Sequence, residues 1–150
     1  MPEPRTQNPE PGTRYTFPMK FAPEYVTCVL HENFEDAKAL LLSPMMAINY
    51  AHLVMLRERD IISGPDARTL REALDAISLA DIHAAPYDST CEDLFFYVDR
   101  ILIGACGESV AGRLRIARSR NDIDMTMYRM RQREFIATLA ERVLELRDAW

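Results

Sequence analysis

The chain has 150 residues, 48% of them hydrophobic and 27% charged, a length that buries roughly two-thirds of its unfolded surface and supports one real core. Its formal net charge of −5 argues against a general nucleic-acid binder, whose electrostatic footprint is basic. No stretch approaches the roughly 18 consecutive apolar residues of a membrane span, and the amino terminus lacks the apolar centre of a signal peptide, so the expected location is the cytoplasm. The three cysteines, Cys28, Cys91 and Cys106, are odd in number and widely spaced. They fit neither a disulfide framework nor a metal cluster and read as buried, reduced thiols.

Residues 1–23 hold six of the nine prolines and no periodic apolar pattern, which predicts an extended arm. From Asn33 onward the reading is helical. "FEDAKALLL" is a short amphipathic segment that stops at Ser43-Pro44, and Ser43 then reads as the N-cap of a second helix opened by Pro44. That helix, "PMMAINYAHLVMLRERD", is apolar on most faces, with Met45, Met46 and Met55 as core filler. His52 lies on it and reads as a packing residue; His31 and His83 fall near element boundaries with no partner pattern. Ser63-Gly64 breaks the chain again, with Ser63 reading as a cap. Pro65 restarts it, and Leu70, Ala73, Leu74 and Ile77 form one stripe. "AAPYDST" is a loop in which Thr90 caps a helix through "DLFFYVDRILIGA" that ends near Gly104 or Gly107. Glu92 and Asp93 read as helix-start acids, with positioning of the arginine-rich loop at 113–120 as the alternative.

The last helix begins at Asn121 or Asp122 and shows no stop signal before Trp150. Met125, Tyr128, Phe135, Leu139, Val143, Leu146 and Trp150 fall mostly at three- and four-residue steps, interrupted by Gln132. About 29 residues at 1.5 Å each make a rod of roughly 43 Å. So long a rod needs partner helices, so the expected setting is a bundle completed by other chains or by further sequence. The organisation is therefore all-α: an arm over 1–23, a helical domain over 24–117, and over 118–150 the first helix of a larger bundle.

Between them, "RLRIARSRNDID" places four arginines within residues 113–120 of an acidic chain. A helix start offers unpaired N–H groups and the positive end of a dipole. Ser119 adds a hydroxyl, Asn121 an amide, and Arg118 and Arg120 planar forks that match a carboxylate. Three readings compete. Asn121 and Asp122 could cap the helix while the arginines pair with surface acids; the loop could contact a nucleic-acid backbone, against the sign of the net charge; or it could hold a substrate carboxylate.

"GRLRIARSRNDIDMTMYRMRQRE" resembles the G-x-K-L-H-T-G-R-S-R-N-D-Q signature of the argininosuccinate lyases, in the fumarase/aspartase superfamily. "AHLVMLRERDIISGPDARTLREAL" and "CEDLFFYVDRIL" resemble that family's A-H-x-x-x-L-x-x-x-G-I-I-S and E-D-x-H-x-x-x-E-x-x-L segments, in the same order across roughly residues 45–135. The resemblance implies a homotetramer built on a long-helix bundle, with active sites shared between subunits. It implies a carbon–nitrogen lyase acting on a small dicarboxylate, releasing fumarate from argininosuccinate without cofactor or metal. Ser119, Arg120 and Asn121 match the substrate-binding positions, with Arg118 and Asp122 supporting them. No nucleic acid or membrane partner is implied.

The match has gaps. The family's His-Thr-Gly is Arg115-Ile116-Ala117 here, its Gln after Asn-Asp is Ile123, and its His in the E-D segment is Phe95. The amino-terminal Gly-Gly-Arg-Phe signature is absent, and Met45 stands where an acid is expected. These changes open the alternatives of another N-substituted aspartate, such as an ethylenediamine-disuccinate-type aminopolycarboxylate, or a non-catalytic scaffold homologue. The family's serine loop, G-S-S-x-M-P-x-K-x-N-P, and its Thr-His pair have no counterpart in these 150 residues. The stretch is therefore expected to be the front part of a longer protein, without a catalytic residue of its own and inactive alone.

Overall fold

The computed structural model describes residues 21–150, and no strand occurs among them. The arm expected over 1–23 lies outside these residues up to position 20. Within them the chain is already helical at α1, Pro23–Tyr25, which runs through a π-turn at Val26–Leu30 into α2, His31–Leu40. The other helices are α3, Leu42–Glu58; α4, Gly64–Asp75; α5, Leu79–Ala84; α6, Leu94–Cys106; α7, Glu108–Ala111; and α8, Arg120–Asp148. A 3-10 turn, Gly112–Arg115, leads from α7 into the arginine loop.

The break between α2 and α3 falls at Leu41, two residues before the expected Ser43-Pro44 boundary. The chain bends by 67° there. A proline ring clashes with the carbonyl four residues back, so Pro44 makes its demand at Leu40, and Leu41 relaxes to φ −117°. Ser43 therefore lies inside the first turn of α3 and makes no capping bond. Ser63 behaves as expected: its hydroxyl accepts from the Asp66 N–H at 3.2 Å, with Pro65 in the first turn of α4. At α6 the cap is Asp93, which accepts from the Phe96 N–H at 3.0 Å. Thr90, expected in that role, bonds instead to Asp88 and Arg100. Gly107, at φ +79°, ends α6 as expected.

Helix α3 is the axis of the core. It packs on α4 and on the start of α8, and also touches α2 and the 3-10 turn. Met45, Met46, Leu53 and Leu56 meet Leu70, Ala73 and Leu74 of α4 in one cluster that continues through Val98 and Leu102 of α6. Ile123 and Met127 join the same cluster and are the buried residues of α8. Beyond them the helix runs outward, and Phe135, Leu139, Val143, Leu146 and Trp150 are all more than half exposed.

Two polar side chains are buried within this framework, Lys38 and Asn49. Lys38 donates to the carbonyls of His83 (3.3 Å) and Ala85 (2.8 Å) and pairs with Glu35, so it closes the end of α5. The cysteines are all free. Cys91 is buried and its thiol is pushed up to about 11, chiefly by burial. Cys106 is half-buried, and Cys28 is exposed, against the expectation that all three would be interior.

Candidate substrate-carboxylate site

The arginine loop is where the core meets α8. Ala117 sits at φ +61°, a left-handed conformation costing an L-residue roughly 1–2 kcal/mol, and the family pattern has glycine at this place. Ala117→Gly removes that strain but adds freedom to the unfolded chain. A net gain of roughly 0.5–1 kcal/mol is expected, read as a higher urea midpoint with an unchanged slope.

One residue after the 118 position the chain enters α8 through a capping box. The Ser119 hydroxyl accepts from the Asp122 N–H (3.3 Å) and donates to Asp122 Oδ2 (2.9 Å), while the Ser119 N–H donates to the same carboxylate oxygen at 2.8 Å. That backbone bond, followed by the hydroxyl, holds the Asp122 carboxyl below its usual range. The helix therefore begins at Arg120, one to two residues earlier than expected, and Ser119 rather than Asn121 or Asp122 is the cap. Ser-x-x-Asp was the signal in the sequence.

The box satisfies two donors and leaves two. The Arg120 and Asn121 N–H groups make no hydrogen bond among the described residues, and neither does the exposed Asn121 amide. Arg120 turns the other way. Its Nη2 is 2.8 Å from Asp93 Oδ2, its Nη1 3.4 Å from Glu92 Oε1, and its Nε 3.6 Å from Asp124 Oδ2, with the guanidinium over the Phe96 ring. Three acids thus surround one cation. Burial, with repulsion from Asp93 added, pushes the Asp124 carboxyl up despite the pull of Arg120. Glu92 and Asp93 therefore do hold the loop, while Asp93 also caps α6.

This cluster borders a groove of about 480 Å³ between α2, the start of α6 and α8. Phe95, Tyr128 and Phe135 line it beside Arg120 and Arg131. Phe95 thus faces the groove at a position where the family carries histidine. Ile123, the replacement for the family's Gln, points into the core instead.

The remaining arginines face away from this groove. Arg113 pairs with Asp66 at 2.7 Å and Arg115 with Asp99 at 2.8 Å. Arg118 reaches into the core and donates from Nη2 to Asn49 Oδ1 at 2.7 Å, while its buried Nε and Nη1 find no partner. Burial lowers its guanidinium to about 10, against the pull of Asp99. One helical turn along α3 from Asn49, the half-buried His52 donates from Nε2 to the Ile116 carbonyl at 2.9 Å. Asn49, Asp99 and this role of His52 were not found in the sequence. The one signal was a lone asparagine in an otherwise apolar helix, which needs a partner when buried.

Burial lowers the His52 imidazole below its ordinary value, and Arg118 adds to the effect against the bond to Ile116. A group whose folded value is depressed contributes stability above its unfolded value and loses it as pH falls through the folded one. Stability is thus expected to decline below about pH 6.5 in part through His52. His52→Gln should flatten that portion of the urea-midpoint profile.

Comparison with known proteins decides the family. The chain is 36% identical to argininosuccinate lyase 2 of Agrobacterium fabrum over 143 residues, 95% of this chain, a span that must include the arginine loop. It is 34% identical to the argininosuccinate lyase of Methanospirillum hungatei over 78% of the chain, and 35% identical to argininosuccinate lyase 1 of Shouchella clausii over 70%. The chain belongs to the argininosuccinate lyase family. It spans 28%, 26% and 21% of the lengths of these three relatives. No family model matches the chain, and no solved structure matches it. The helical architecture agrees with the fumarase/aspartase-like fold that the resemblance implied. Among the described residues no single helix is long and apolar enough to cross a membrane, and no group of three or more His, Cys, Asp or Glu side chains could hold a metal ion.

Proposed function

We propose that this chain supplies a substrate-carboxylate site of a carbon–nitrogen lyase that splits argininosuccinate into arginine and fumarate. The observation that carries the reading is family membership over a span containing Arg118-Ser119-Arg120-Asn121-Asp122, with that run folded as the capped start of a 29-residue helix. In the reaction a base takes a proton from the carbon beside a carboxylate. The electron pair passes into that carboxylate, then returns as the carbon–nitrogen bond breaks, and the leaving guanidino nitrogen takes up a proton. Negative charge doubles on one carboxylate along the way. Donors fixed in advance around such a charge are worth roughly 3–4 kcal/mol each.

Asn121 is the best-placed donor, because its amide and the two adjacent N–H groups are uncommitted. Ser119 acts by holding those groups in place through its capping box. Arg120 serves as counter-charge: with Glu92, Asp93 and Asp124 beside it, the neighbourhood would repel a dicarboxylate if the guanidinium were lost. The base comes from a segment like the family's serine loop, so these 150 residues alone are inactive. The exposed apolar stripe of α8 fits the first helix of a bundle in a homotetramer with shared sites, acting in cytoplasmic arginine biosynthesis.

A second substrate class is favoured by Phe95, whose ring replaces a polar group beside the groove. Losing that group changes which leaving group is held more than whether a carboxylate is held. The test is fumarate release, followed by absorbance, from the native assembly given argininosuccinate or ethylenediamine-disuccinate in parallel. Faster release from argininosuccinate supports the primary reading. Release from the diamine compound alone moves the substrate to the second class. Release from neither, by a tetrameric protein, favours the scaffold homologue.

A further inference from the structure

Two side chains of α3 hold the same short piece of chain. Asn49 and His52 are three residues apart and share a helix face. Asn49 Oδ1 accepts from Arg118 Nη2 at 2.7 Å, and His52 Nε2 donates to the Ile116 carbonyl at 2.9 Å. The residue between their targets is Ala117, held at φ +61°, and the residue after them is the helix cap Ser119. Neither partner is close in sequence, at separations of 69 and 64 residues.

We propose that Asn49 and His52 form a clamp that fixes the entry of the chain into α8, and so positions the Arg120 and Asn121 donors toward substrate. The positioning of substrate rests on the lyase reading above; the clamp itself does not. The physical case is one of alternatives. A left-handed alanine is not a conformation the loop would hold unaided, so it persists where its flanks are over-determined. Arg118 is mostly buried with two unpartnered donors, so its one side-chain hydrogen bond, to Asn49, is the directional contact that, with the pull of Asp99, fixes where its guanidinium lies within the core. His52 fixes the peptide on the other side. Both anchors stand on the helix that also packs against the start of α8, so loop and helix are set against one rigid reference. Pre-set geometry of this kind matters because small displacements of donors cost rate steeply.

The test pairs a disruptive with a conservative change at each residue. Asn49→Leu and His52→Leu remove the bonds. Asn49→Asp keeps the acceptor, and His52→Gln keeps a donor where Nε2 stood. Two readouts are taken on the native assembly: amide hydrogen exchange at Ser119, Asp122 and Ile123, and the steady-state constants for fumarate release. The leucine variants are expected to speed exchange at those three amides about tenfold and to lower kcat/KM about tenfold, the loss expected for a bond to a charged or strongly polar group. Amides of α4 should be unchanged. Asn49→Asp and His52→Gln should remain near wild type in both.

Unchanged exchange at the three amides in both leucine variants would overturn the clamp. So would equal acceleration across α4 and α8, which marks general destabilisation. If a leucine variant fails to fold, the conservative pair decides: loss of the three protections in His52→Gln or Asn49→Asp overturns the proposal. A wild type that releases no fumarate, yet shows the predicted exchange pattern, retains the clamp and removes the lyase reading instead.

Discussion

Asn121→Ala is expected to lower kcat/KM for fumarate release by about 10²–10³-fold, the effect of removing one donor aimed at developing charge. The folded protein should barely notice. Asn121 is exposed and makes no hydrogen bond among the described residues, and the capping box that starts α8 belongs to Ser119 and Asp122. The urea midpoint should therefore move by less than about 0.5 kcal/mol equivalent. That separation distinguishes a ligand-facing residue from a structural one. Ser119→Ala should behave differently, losing roughly 1 kcal/mol of stability with its cap together with activity. An Asn121→Ala enzyme with wild-type kcat/KM would show that the amide does not meet substrate.

Leu56→Ala is expected to destabilise the protein by roughly 2–5 kcal/mol. Leu56 has no exposed surface and lies in the cluster that joins α3, α4 and α6. Truncation leaves a cavity at the centre of the only scaffold holding Asn49 and His52 in register. Against a total stability of about 5–15 kcal/mol, that loss is large enough to lower yield and thermal midpoint together. Leu139→Ala offers the contrast. With 64% of its surface exposed, it should leave the chain's own midpoint unchanged. If the stripe on α8 packs in a bundle, its effect appears as a shift in oligomeric state by sedimentation. A Leu56→Ala change below 1 kcal/mol would mean that the core is not centred on α3.

Much of the architecture could be read from local pattern. Leu70, Ala73 and Leu74 of the expected stripe, the Ser63 cap and the glycine stop at 107 are set by near neighbours, and the structure reproduces them, while Ile77, the stripe's fourth member, lies past the end of α4 and is half-buried against the same core. Boundaries failed where two caps competed or where a proline acted at a distance. Thr90 and Asp93 both suit an N-cap, and which of them meets the Phe96 N–H depends on Arg100 drawing Thr90 away. Pro44 places its break at Leu41 because the clash lies four residues back. Helix α5 was missed although Ser78-x-x-Asp81 carries its capping signal; six residues are too few for an apolar period to show.

The site divides in the same way. Ser119 to Asp122 lie consecutively and could be named from the sequence. Arg120's three acids come from two elements, and Arg118's partner lies 69 residues away. Sequence spacing carries no information about such contacts. Only a lone asparagine on a largely apolar helix hinted that one existed.

The most direct test of the account is fumarate release from argininosuccinate by the native assembly, measured beside Arg120→Ala. Wild type should release fumarate, and the variant should fall by at least about 10²-fold, because Glu92, Asp93 and Asp124 are left without their counter-charge where a dicarboxylate must bind. Equal rates from the two proteins would contradict the placement of substrate at the start of α8.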